Sequence, residues 1–560
     1  MQKLQIFVIN SRSGKQLGFV RNPIHLLDML TEEEEGLLLT PPLPSYKAYC
    51  TLGALKRKFQ GRLGSVHWFI QQWINPNGEM PFTRETSMER ERSEDLIQTL
   101  QRLTNGRFVT EERIMLTLRQ QGYWPAHISR ALDLGVFRSD LIQLPGIQNR
   151  PWGVQVCVRC SSQNVMPRPC SHCGQGDCPV CMDCTAVGEN RGCSTFITAK
   201  TVKKTGTRRR NIAFHLDYEL TTAQEDASQE LIRFVRGSHK RALVWAACGA
   251  GKTEVTFGAI QHVLCQGGQV LFAIPRLDIV KELAQRCAEA FPGLEIAVHH
   301  GGQPWFAHGD LVVATTHQVL HFYRRFDLVI LDEVDAFPYH GSEMLRFGVE
   351  RAVALHGKIV EMTATPNSIP KGRLVITIPA RYHGFPLPEP EIHTITLPPW
   401  EELQAHSVPP IVVDTLRDRN EPWLVFAPTI AACTHIQGVL EEVLGVEVGI
   451  CHSKDPKRGD TIERFRQGAL EVVVTTSVLE RGVTFPRVHV MVLYADHPLF
   501  NSSTLVQMAG RVGRTLQYPS GQVLFLGSKT TSSMREARRM IQRLNREAEQ
   551  KGLLGGEGNA

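Results

Sequence analysis

The sequence predicts an α/β protein in which two tandem lobes, each built on a parallel sheet, follow a cysteine-rich module and an N-terminal region of α/β or mixed structure. From about residue 240, short apolar segments of strand length alternate with helical stretches, which is the pattern of βαβ units. The alternation resumes near residue 423, so the lobe is repeated. Eight of the 14 cysteines fall between Cys157 and Cys193, a density that favours metal over disulfides in a large chain.

Length and composition indicate a packed, modular protein. The chain has 560 residues, enough for three or four domains, and 42% of them are hydrophobic while 21% are charged, which excludes wholesale disorder. The net charge of +6 suits a polyanionic partner without requiring one. No apolar run approaches the roughly 20 residues of a membrane-spanning helix, and no signal peptide is evident, so we expect a cytoplasmic protein.

We divide the chain by its changes of pattern. The expected units are an N-terminal region of unknown role (1–150), the cysteine module (151–200), the first lobe (201–385), the second lobe (386–530) and a basic C-terminal helix and tail (531–560). In the first unit, a helix is predicted from Ser93 to Leu103 with Ser93 as its N-cap. The strands predicted for the two lobes are residues 242–246, 270–274, 311–314, 328–331, 359–362, 423–426, 472–474, 488–494 and 523–526.

The cysteine module is predicted to bind zinc. Two residues between paired cysteines allow a tight turn to direct both thiolates at one tetrahedral ion. Spacing alone does not fix the partners. Our first choice is one site of Cys157, Cys160, Cys181 and Cys184, and the others allow a second site of Cys170, Cys173, Cys178 and Cys193, so that one or two Zn²⁺ are expected. Because the module has little apolar core, this zinc would be structural.

A phosphate-binding loop is predicted between residues 246 and 253, where Ala-Ala-Cys-Gly-Ala-Gly-Lys-Thr follows an apolar strand and precedes a helix. The backbone of Gly249, Ala250 and Gly251 would surround the phosphates of ATP, Lys252 would reach the terminal phosphates, and Thr253 would bind Mg²⁺. About eighty residues later, an apolar strand ends in Asp332 and Glu333. We expect Asp332 to hold the Mg²⁺ and Glu333 to polarise the attacking water, which makes the chain an ATPase.

The order of further motifs resembles superfamily 2 helicases of the DEAD-like type, whose lobes are RecA-like. The resemblance implies that Gln224 reads the adenine, that Thr363, Thr365 and Gly482 couple ATP to strand binding, and that Gln507 contributes to the nucleotide site. It also implies that Arg511 and Arg514 cross the lobe interface to the γ-phosphate. The nucleic-acid contacts implied in the same way are Pro275, Arg276, Thr315, Thr316, Thr475 and Thr476.

Within that superfamily, the chain is similar to the ComFA family of late competence ATPases. The similarity rests on the segments Cys157 to Cys160, Cys181 to Cys184 and Arg381 to Pro390, and eight cysteines are more than the four that some members use. It implies a translocase on single-stranded DNA, peripheral at the inner face of the membrane, that drives uptake of transforming DNA. The implied partners are single-stranded DNA, a competence uptake channel and cytosolic competence proteins, with homo-oligomers left open.

Two other functions stay open at this point. The first is a replication-restart or repair helicase resembling PriA, although PriA-like chains carry their cysteines within the helicase core rather than before it. The second is a nucleotide-switched adaptor that clamps DNA without stepping. Duplex unwinding would distinguish the first from a translocase, and inefficient hydrolysis would mark the second.

Overall fold

The structure is a computed structural model of the full chain. It describes residues 3–11, 14–22, 25, 29, 35–38, 40, 43–44, 48, 51–52, 55, 87–200, 211–301, 309–336, 338–366, 373–417, 422–480 and 483–555. None of the helices in these ranges is both long and apolar enough to span a bilayer.

The chain begins with an antiparallel sheet in which the central strand β1 pairs with three others. Residues 4–9 of β1 are all buried, so both faces of the strand are covered. Arg21 joins this sheet to the following helices, because its guanidinium is paired with Glu111 at 2.7 Å and also with Asp133. The strands are β1 (Lys3–Ser11), β2 (Gly14–Val20), β3 (Glu35–Leu38) and β4 (Leu43–Pro44).

A helical unit follows, and the cysteine module is inserted into it. Strand β12 lies between β5 and β6 in one antiparallel sheet, although the whole cysteine module separates β6 from β12 in sequence. The predicted N-cap at Ser93 was wrong, since the helix begins six residues earlier. The elements are α1 (Ser87–Thr104), β5 (Val109–Thr110), α2 (Glu111–Gln120), α3 (Pro125–Phe137), β6 (Leu141–Pro145) and β12 (Thr195–Ala199).

The inserted module consists of a hairpin and a small antiparallel sheet. The hairpin pairs β7 (Ile147–Asn149) with β8 (Gln155–Cys157). The sheet has β10 (Cys178–Cys181) between β9 (Val165–Arg168) and β11 (Asn190–Arg191). The expected unit boundary at residue 150 therefore falls within the turn of the β7–β8 hairpin.

The first lobe is a parallel sheet with the strand order β15-β16-β14-β17-β18-β13-β19 among the described residues. The strands are β13 (Arg241–Ala246), β14 (Val270–Ile274), β15 (Ile296–His299), β16 (Leu311–Thr315), β17 (Phe326–Leu331), β18 (Val353–Thr363) and β19 (Leu374–Ile378). Its helices are α4 (Thr222–Arg236), α5 (Phe257–Cys265), α6 (Leu277–Ala290) and α7 (Glu343–Ala352).

The second lobe is a parallel sheet with the order β20-β25-β24-β21-β23-β22 in the part of the chain that is described. The strands are β20 (Glu391–Thr394), β21 (Trp423–Phe426), β22 (Val448–Cys451), β23 (Val472–Thr475), β24 (His489–Leu493) and β25 (Val523–Gly527). The helices are α8 (Pro410–Arg417), α9 (Ile430–Leu444), α10 (Arg458–Arg466), α11 (Ser502–Ala509) and α12 (Ser532–Gln550).

The predicted fold class is confirmed, and eight of the nine predicted strands coincide with strands of the two sheets to within two residues at their ends. The ninth, predicted at 359–362, lies within β18, which begins six residues earlier. One hydrophobic cluster runs through both lobes and includes residues of β13, β21 and α11. The C-terminal helix α12 belongs to this core, because Met534, Ile541 and Leu544 are buried on one face. Its opposite face carries the arginines that the sequence shows.

Candidate nucleotide site and metal centres

The phosphate loop leaves β13 and turns sharply into a short 3-10 turn, Glu254–Thr256, which leads into α5. Gly249 and Gly251 have φ values of 83° and 73°, a region that side chains with a Cβ rarely enter. A Cβ at Gly251 would lie 2.3 Å from the Gln224 amide nitrogen. The backbone conformation therefore favours glycine at both positions, and a side chain at position 251 would also displace the Gln224 amide.

Lys252 and the carboxylates after β17 face each other, as the sequence predicts for a site at the ends of parallel strands. The Lys252 Nζ lies 3.3 Å from Asp332 Oδ1. Burial acts to lower the pKa of Lys252, but Asp332, Glu333 and Asp335 outweigh it and raise that pKa. Glu333 has a positive φ of 53°, and its backbone N–H donates to Asp332 Oδ1 at 2.8 Å. The lysine is thus a fixed cation beside the residues expected to hold Mg²⁺ and water.

Gln224 connects the first helix of the lobe to the phosphate loop. It forms a capping box with Thr221 at the start of α4, where its Oε1 accepts the Thr221 N–H at 2.9 Å. Its Nε2 donates to the Ala250 carbonyl at 3.1 Å. The amide group carries a second N–H hydrogen, which is the one that an adenine acceptor would use.

Asp335 is the centre of a hydrogen-bond network that the sequence reasoning did not assign. Its carboxylate accepts from Thr363 Oγ1 and Thr365 Oγ1, each at 2.7 Å, and from Ser503 Oγ at 2.8 Å. Thr365 and Ser503 are also 2.6 Å apart through their hydroxyl oxygens. Because Ser503 lies in the first turn of α11 in the second lobe, this network links Thr363 and Thr365, the predicted coupling residues, to the other lobe.

The second lobe contacts the phosphate loop directly through α11 and the turn that follows it. Cys248 Sγ lies 3.4 Å from Gln507 Oε1. A Cβ at Gly510 would lie 2.5 Å from the Cys248 Cβ, so the two backbones approach as closely as glycine permits. The predicted nucleotide residues of the two lobes are therefore neighbours in this conformation.

Arg381, in the connector between the lobes, binds both sides of this contact. Its side chain is 2% exposed, and its Nε donates to the Cys248 carbonyl at 2.9 Å. Its other nitrogens donate to the carbonyls of Gly510, Val512 and Gly513, at 3.2 Å and 2.6 Å for the first two. Burial and the nearby Arg514 lower the pKa of Arg381 to about 10. Every strong contact of this cation is thus with a backbone oxygen rather than a carboxylate.

Arg511 and Arg514 lie at the same interface. Arg511 is 2% exposed and donates to the carbonyls of Glu480, at 3.0 Å and 2.6 Å, and of Val483. Arg514 Nε donates to the Gly510 carbonyl at 2.8 Å. Burial lowers the pKa of both arginines, and for Arg511 the charge of Arg514 adds to the effect.

These charges define the chemistry of the site. Four cations lie close to the phosphate loop, of which Arg381 and Arg511 are buried while Lys252 and Arg514 are partly exposed. They outnumber the carboxylates of residues 332, 333 and 335 near them. Buried cations that lack carboxylate partners are stabilised by an incoming polyanion. The residues therefore fit a nucleoside triphosphate, with Asp332 and Thr253 placed as oxygen donors of the kind Mg²⁺ prefers.

The predicted nucleic-acid residues are differently exposed. Pro275 and Arg276 follow β14 and are partly exposed. The side chains of Thr316 and Thr475 are 1% and 0% exposed, and Thr475 Oγ1 donates to the Cys451 carbonyl at 2.8 Å. Thr315 and Thr476 are partly exposed, so contact at these two sites would involve them or the backbone. Gly482 lies outside the described residues.

The cysteines form two tetrads among the described residues, and they are grouped as in our first choice. In the first tetrad, Sγ–Sγ distances of 3.6 Å separate Cys157 from Cys184 and Cys160 from Cys181. A tetrahedral zinc site with Zn–S bonds of about 2.3 Å has edges of about 3.8 Å, so the tetrad fits that ion. The Asn190 amide and Arg159 Nε donate to Cys157 and Cys184 sulfurs at 3.0 Å and 3.3 Å, as donors around bound thiolates do.

The second tetrad has the same form but a different environment. Cys170 and Cys193 sulfurs are 3.7 Å apart, and Arg191 Nη1 donates to Cys170 Sγ at 3.3 Å. The cluster contains Cys170, Cys173 and Cys178, with Cys193 packed against it. It borders a cavity of about 940 Å³ that is also lined by residues of α2. The first tetrad is instead part of a hydrophobic cluster that includes Leu320 and Val349 of the first lobe.

Arg351 joins the first tetrad to the predicted nucleic-acid face. Its guanidinium donates to the carbonyls of Val158 and Arg159, both at 2.9 Å, between two of the cysteines. It also donates to the Leu320 carbonyl at 2.6 Å, in the 3-10 turn Thr316–His321, and lies 4.1 Å from the Phe108 ring centroid. The position of that turn, and of Thr315 before it, is therefore tied to the module.

Sequence reasoning missed Asp335, Ser503, Arg381 and Arg351 as functional residues. Asp335 and Arg381 stand within motifs that the sequence reveals, three residues after Asp332 and at the start of the connector segment. Ser503 and Arg351 carry no such signal, because Asp335 lies 168 residues from Ser503, and Val158 and Arg159 lie more than 190 residues from Arg351.

Family profiles match both lobes of the chain. The one described as "Helicase conserved C-terminal domain" matches residues 407–515, and the one described as "Type III restriction enzyme, res subunit" matches residues 217–368. With the two parallel-sheet lobes and the phosphate loop at their contact, these matches define the class of the protein as a superfamily 2, DEAD-like helicase. The chain is an ATP-hydrolysing, helicase-like enzyme.

The relatives identify the family within this class. The chain is 35% identical to competence protein ComFA of Bacillus subtilis over 60% of its own length and 74% of the relative, and 38% identical to that of Streptococcus pneumoniae over 59% and 78%. It is 24% identical to the ATP-dependent DNA helicase RecG of Staphylococcus aureus over 58% of the chain and half of the relative. The chain belongs to the ComFA family, which confirms the predicted resemblance.

Proposed function

We propose that this protein is an ATP-dependent translocase on single-stranded DNA that drives the uptake of transforming DNA across the cytoplasmic membrane. The observation that carries the proposal is the direct contact between the phosphate loop and the Gln507 to Arg514 segment, in a member of a family of competence proteins. When a ligand binds at a site that two lobes share, its contacts with both lobes change the distance between them. ATP binding would then close the grip on a strand, and hydrolysis would release it.

Each residue of the site has a role in this cycle. Lys252, Arg511 and Arg514 bind the phosphates and stabilise the charge that develops during transfer, while Glu333 orients the attacking water. Asp332 and Thr253 hold Mg²⁺, which draws charge from the phosphate oxygens when bound. Arg511 would exchange its contacts with the Glu480 and Val483 carbonyls for contacts with the γ-phosphate. That exchange supports a link from the nucleotide to the segment that contains Gly482.

The nucleic-acid grip is proposed to be independent of sequence. The predicted contacts at residues 275–276, 315–316 and 475–476 are backbone groups, hydroxyls and one arginine, which bind phosphates rather than base edges. Alternating closure of two such grips moves the protein along any sequence. ATP hydrolysis should respond equally to homopolymers and mixed-sequence strands, and activation by one narrow sequence would contradict the proposal.

We infer that both tetrads bind Zn²⁺ with a structural role. Two observations support this inference. The Sγ–Sγ distances are 3.6 Å to 3.7 Å, and an arginine donates a hydrogen bond to a sulfur of each tetrad, Arg159 in the first and Arg191 in the second. Each arginine offsets part of the negative charge of four thiolates around one divalent ion. Metal analysis of the purified chain should give two zinc ions per chain.

Movement along DNA is tested by displacement of streptavidin from biotinylated oligonucleotides. A translocase displaces streptavidin from one end of a single strand in an ATP-dependent manner, and Lys252→Ala does not. The same strand bound to a complementary oligonucleotide shows whether duplexes are unwound. Unwinding that requires a fork would favour the repair helicase instead, and binding without displacement at either end would favour the adaptor.

The role in uptake is tested in a naturally transformable host that lacks its own family member. The intact chain should restore transformation, whereas Lys252→Ala and Glu333→Gln should not. Partners at the inner face of the membrane, including an uptake channel and cytosolic competence proteins, would then be recovered with the intact chain after crosslinking. Restoration by Lys252→Ala would contradict a motor role.

A further inference from the structure

The turn of the β7–β8 hairpin holds a tryptophan in an unusual position. Trp152 is 99% exposed, and its φ of 68° and ψ of 18° place it in the left-handed region. Gly153, which follows, also has a positive φ of 75°. Turns with two such residues are normally formed by glycine, asparagine or aspartate, because a larger side chain there costs on the order of 1 kcal/mol. A bulky apolar side chain is thus held in water in a conformation that favours other residues.

The base of the hairpin is fixed by burial, strand pairing and hydrogen bonds. Ile147 and Cys157, which pair at the base, are buried in the cluster that contains the first cysteine tetrad. Asn190 Nδ2 donates to the Gly146 carbonyl at 2.8 Å and to Cys157 Sγ at 3.0 Å. Arg150 N–H donates to the Val154 carbonyl at 2.8 Å and closes the turn. The hairpin has three residue pairs, and at a rise of about 3.4 Å per residue the tip lies about 10 Å beyond the base.

The hairpin is connected to the predicted nucleic-acid face of the first lobe. Arg351 donates to the Val158 carbonyl, directly after the hairpin, and to the Leu320 carbonyl in the turn that follows Thr315. The described side chains of the hairpin include Gln148, Asn149, Arg150 and Gln155, with one cation and no carboxylate between residues 147 and 157. Amides, an arginine and an exposed aromatic ring in one hairpin are groups that bind nucleotides.

We propose that Trp152 stacks on a base of the nucleic acid that the motor moves along. The size of the tip favours this partner over a protein, because a tryptophan offers about 250 Å² at most whereas a stable protein interface buries about 800 Å² on each side. One ring matches one base. The inference rests on the proposed function, since it assigns a second contact to the same substrate. The proposed grips of the two lobes act on phosphates, and Trp152 would add a contact with a base. Every base can make this contact, because each has a π-face.

The test compares two fluorescent single strands of equal length, oligo-dT and a fully abasic strand, for binding to the full chain. Both carry the same phosphates, so the ratio of their dissociation constants measures contacts to bases alone. Trp152→Ala should weaken binding to oligo-dT by about 5- to 150-fold, the loss expected for about 1 to 3 kcal/mol of stacking. Its binding to the abasic strand should stay that of the unmodified chain. Trp152→Phe should keep most of the discrimination.

Two further variants exclude trivial explanations. Trp124→Ala removes another exposed tryptophan, 73% exposed before α3, and should leave the ratio unchanged. Trp152→Asn suits the left-handed turn and should unfold at the same or a higher temperature while it loses discrimination. If the intact chain binds oligo-dT and Trp152→Ala binds it equally well, this inference fails and the proposed function stands. If the intact chain binds neither strand, both fail.

Discussion

Arg381 shows how much one side chain can control at this interface. A single guanidinium contacts the carbonyl of Cys248 in the phosphate loop and three carbonyls between residues 510 and 513 in the other lobe. These carbonyls are buried, and no water replaces a lost donor without reorganisation. We regard Arg381 as a positioning residue, because its described contacts are with the loops that carry Lys252 and Arg511 rather than with the reacting atoms.

Replacement of Arg381 by methionine should misplace both loops. We expect kcat for ATP hydrolysis to fall by on the order of 10- to 100-fold and stability to fall by about 3 kcal/mol, because hydrogen bonds to charged groups contribute about 1.5 to 3 kcal/mol each and not all are lost in full. Steady-state kinetics and thermal unfolding measure the two effects. Arg373→Met, which removes an arginine paired with Glu361 in the same lobe, is the control and should leave kcat within about twofold. Equal kcat values for the two variants would contradict this role.

His383 should make this region sensitive to acid. Its Nε2 lies 3.0 Å from the Gly513 carbonyl, and its Nδ1 accepts the Phe385 N–H, so the ring is neutral with its proton on Nε2. Burial lowers its pKa, with Arg381 adding to the effect and the Gly513 carbonyl opposing it. Since the folded pKa lies below the unfolded value of about 6.5, the unfolded chain binds more protons as the pH falls. The stability that the neutral ring contributes is therefore fully present above pH 6.5. It is lost as the pH falls from 6.5 through the lower pKa of the folded state.

The corresponding measurement is the midpoint of thermal unfolding between pH 5 and pH 8 for the intact chain and His383→Gln. Glutamine keeps a donor for the Gly513 carbonyl but does not titrate. The midpoint of the variant should decline less between pH 6.5 and pH 5 than that of the intact chain. Parallel declines would show that the pH dependence comes from other groups, such as the cysteine thiolates.

At the scale of elements, the two cysteine tetrads are expected to matter for different reasons. The first packs with Leu320 and Val349 and is bound by Arg351, so it supports the turn Thr316–His321 of the first lobe. The second lies beside α2 at a cavity, outside that cluster. Loss of metal should therefore spread into the ATPase lobe from the first tetrad and remain local at the second.

The matched variants Cys160→Ser and Cys173→Ser test this difference. Each should lose about one zinc ion, because three thiolates hold zinc more weakly than four. Cys160→Ser should lower the unfolding midpoint of the first lobe and reduce the stimulation of ATP hydrolysis by DNA. Cys173→Ser should lose its metal with ATP hydrolysis within about twofold of the intact chain. The prediction is wrong if the second variant impairs hydrolysis as much as the first.

The elements also show where sequence reasoning succeeds and stops. Strands such as Val270–Ile274 are buried on both faces, so their continuous apolar runs identify them from sequence. The phosphate loop and Asp332 follow such strands and could be placed in the same way. The pairing of β6 with β12 could not be predicted, because a module of about fifty residues separates the two strands. The sequence of a short strand does not identify the strand with which it pairs. The cysteine spacing likewise allowed several groupings, and the folded chain brings together one of them.

The helix α12 illustrates a further limit. Its sequence is dominated by arginines, yet Met534, Ile541 and Leu544 belong to the shared core. Asn545 exchanges two hydrogen bonds with Leu387 of the connector, and the Arg543 guanidinium lies 4.6 Å from the ring centroid of Trp245 in the first lobe. Three apolar residues among many charges define an amphipathic helix, but they do not reveal that its partner includes both lobes.

At the scale of the whole molecule, one hydrogen-bond network joins the segment after β17 to the second lobe. The Asp335 carboxylate accepts hydrogen bonds from the hydroxyl groups of Thr363 and Thr365 in the first lobe and of Ser503 in the second. Because the same aspartate follows Asp332 and Glu333 by two to three residues, a short chain of hydrogen bonds joins the predicted nucleotide site to α11. We therefore expect this network to connect hydrolysis to movement between the lobes.

Ser503→Ala should weaken that coupling while the phosphate loop stays intact. Loss of two hydroxyl contacts should reduce the stimulation of hydrolysis by single-stranded DNA several-fold, at a cost in stability of about 1 to 2 kcal/mol. Ser502→Ala, one residue earlier and partly exposed, is the control and should behave as the intact chain. A double-mutant cycle with Thr365→Ala should give non-additive losses, since the two hydroxyls are in contact. Strictly additive losses would show that the two residues act independently.

The central claim is that single-stranded DNA activates ATP hydrolysis at the interface of the two lobes. The most direct measurement is the hydrolysis rate of the purified chain without nucleic acid and with single-stranded DNA, duplex DNA or RNA, alongside Lys252→Ala. The account predicts strong stimulation by single-stranded DNA, weaker stimulation by duplex DNA and RNA, and no activity above background in the variant. Hydrolysis that no nucleic acid stimulates, or that Lys252→Ala retains, would contradict it.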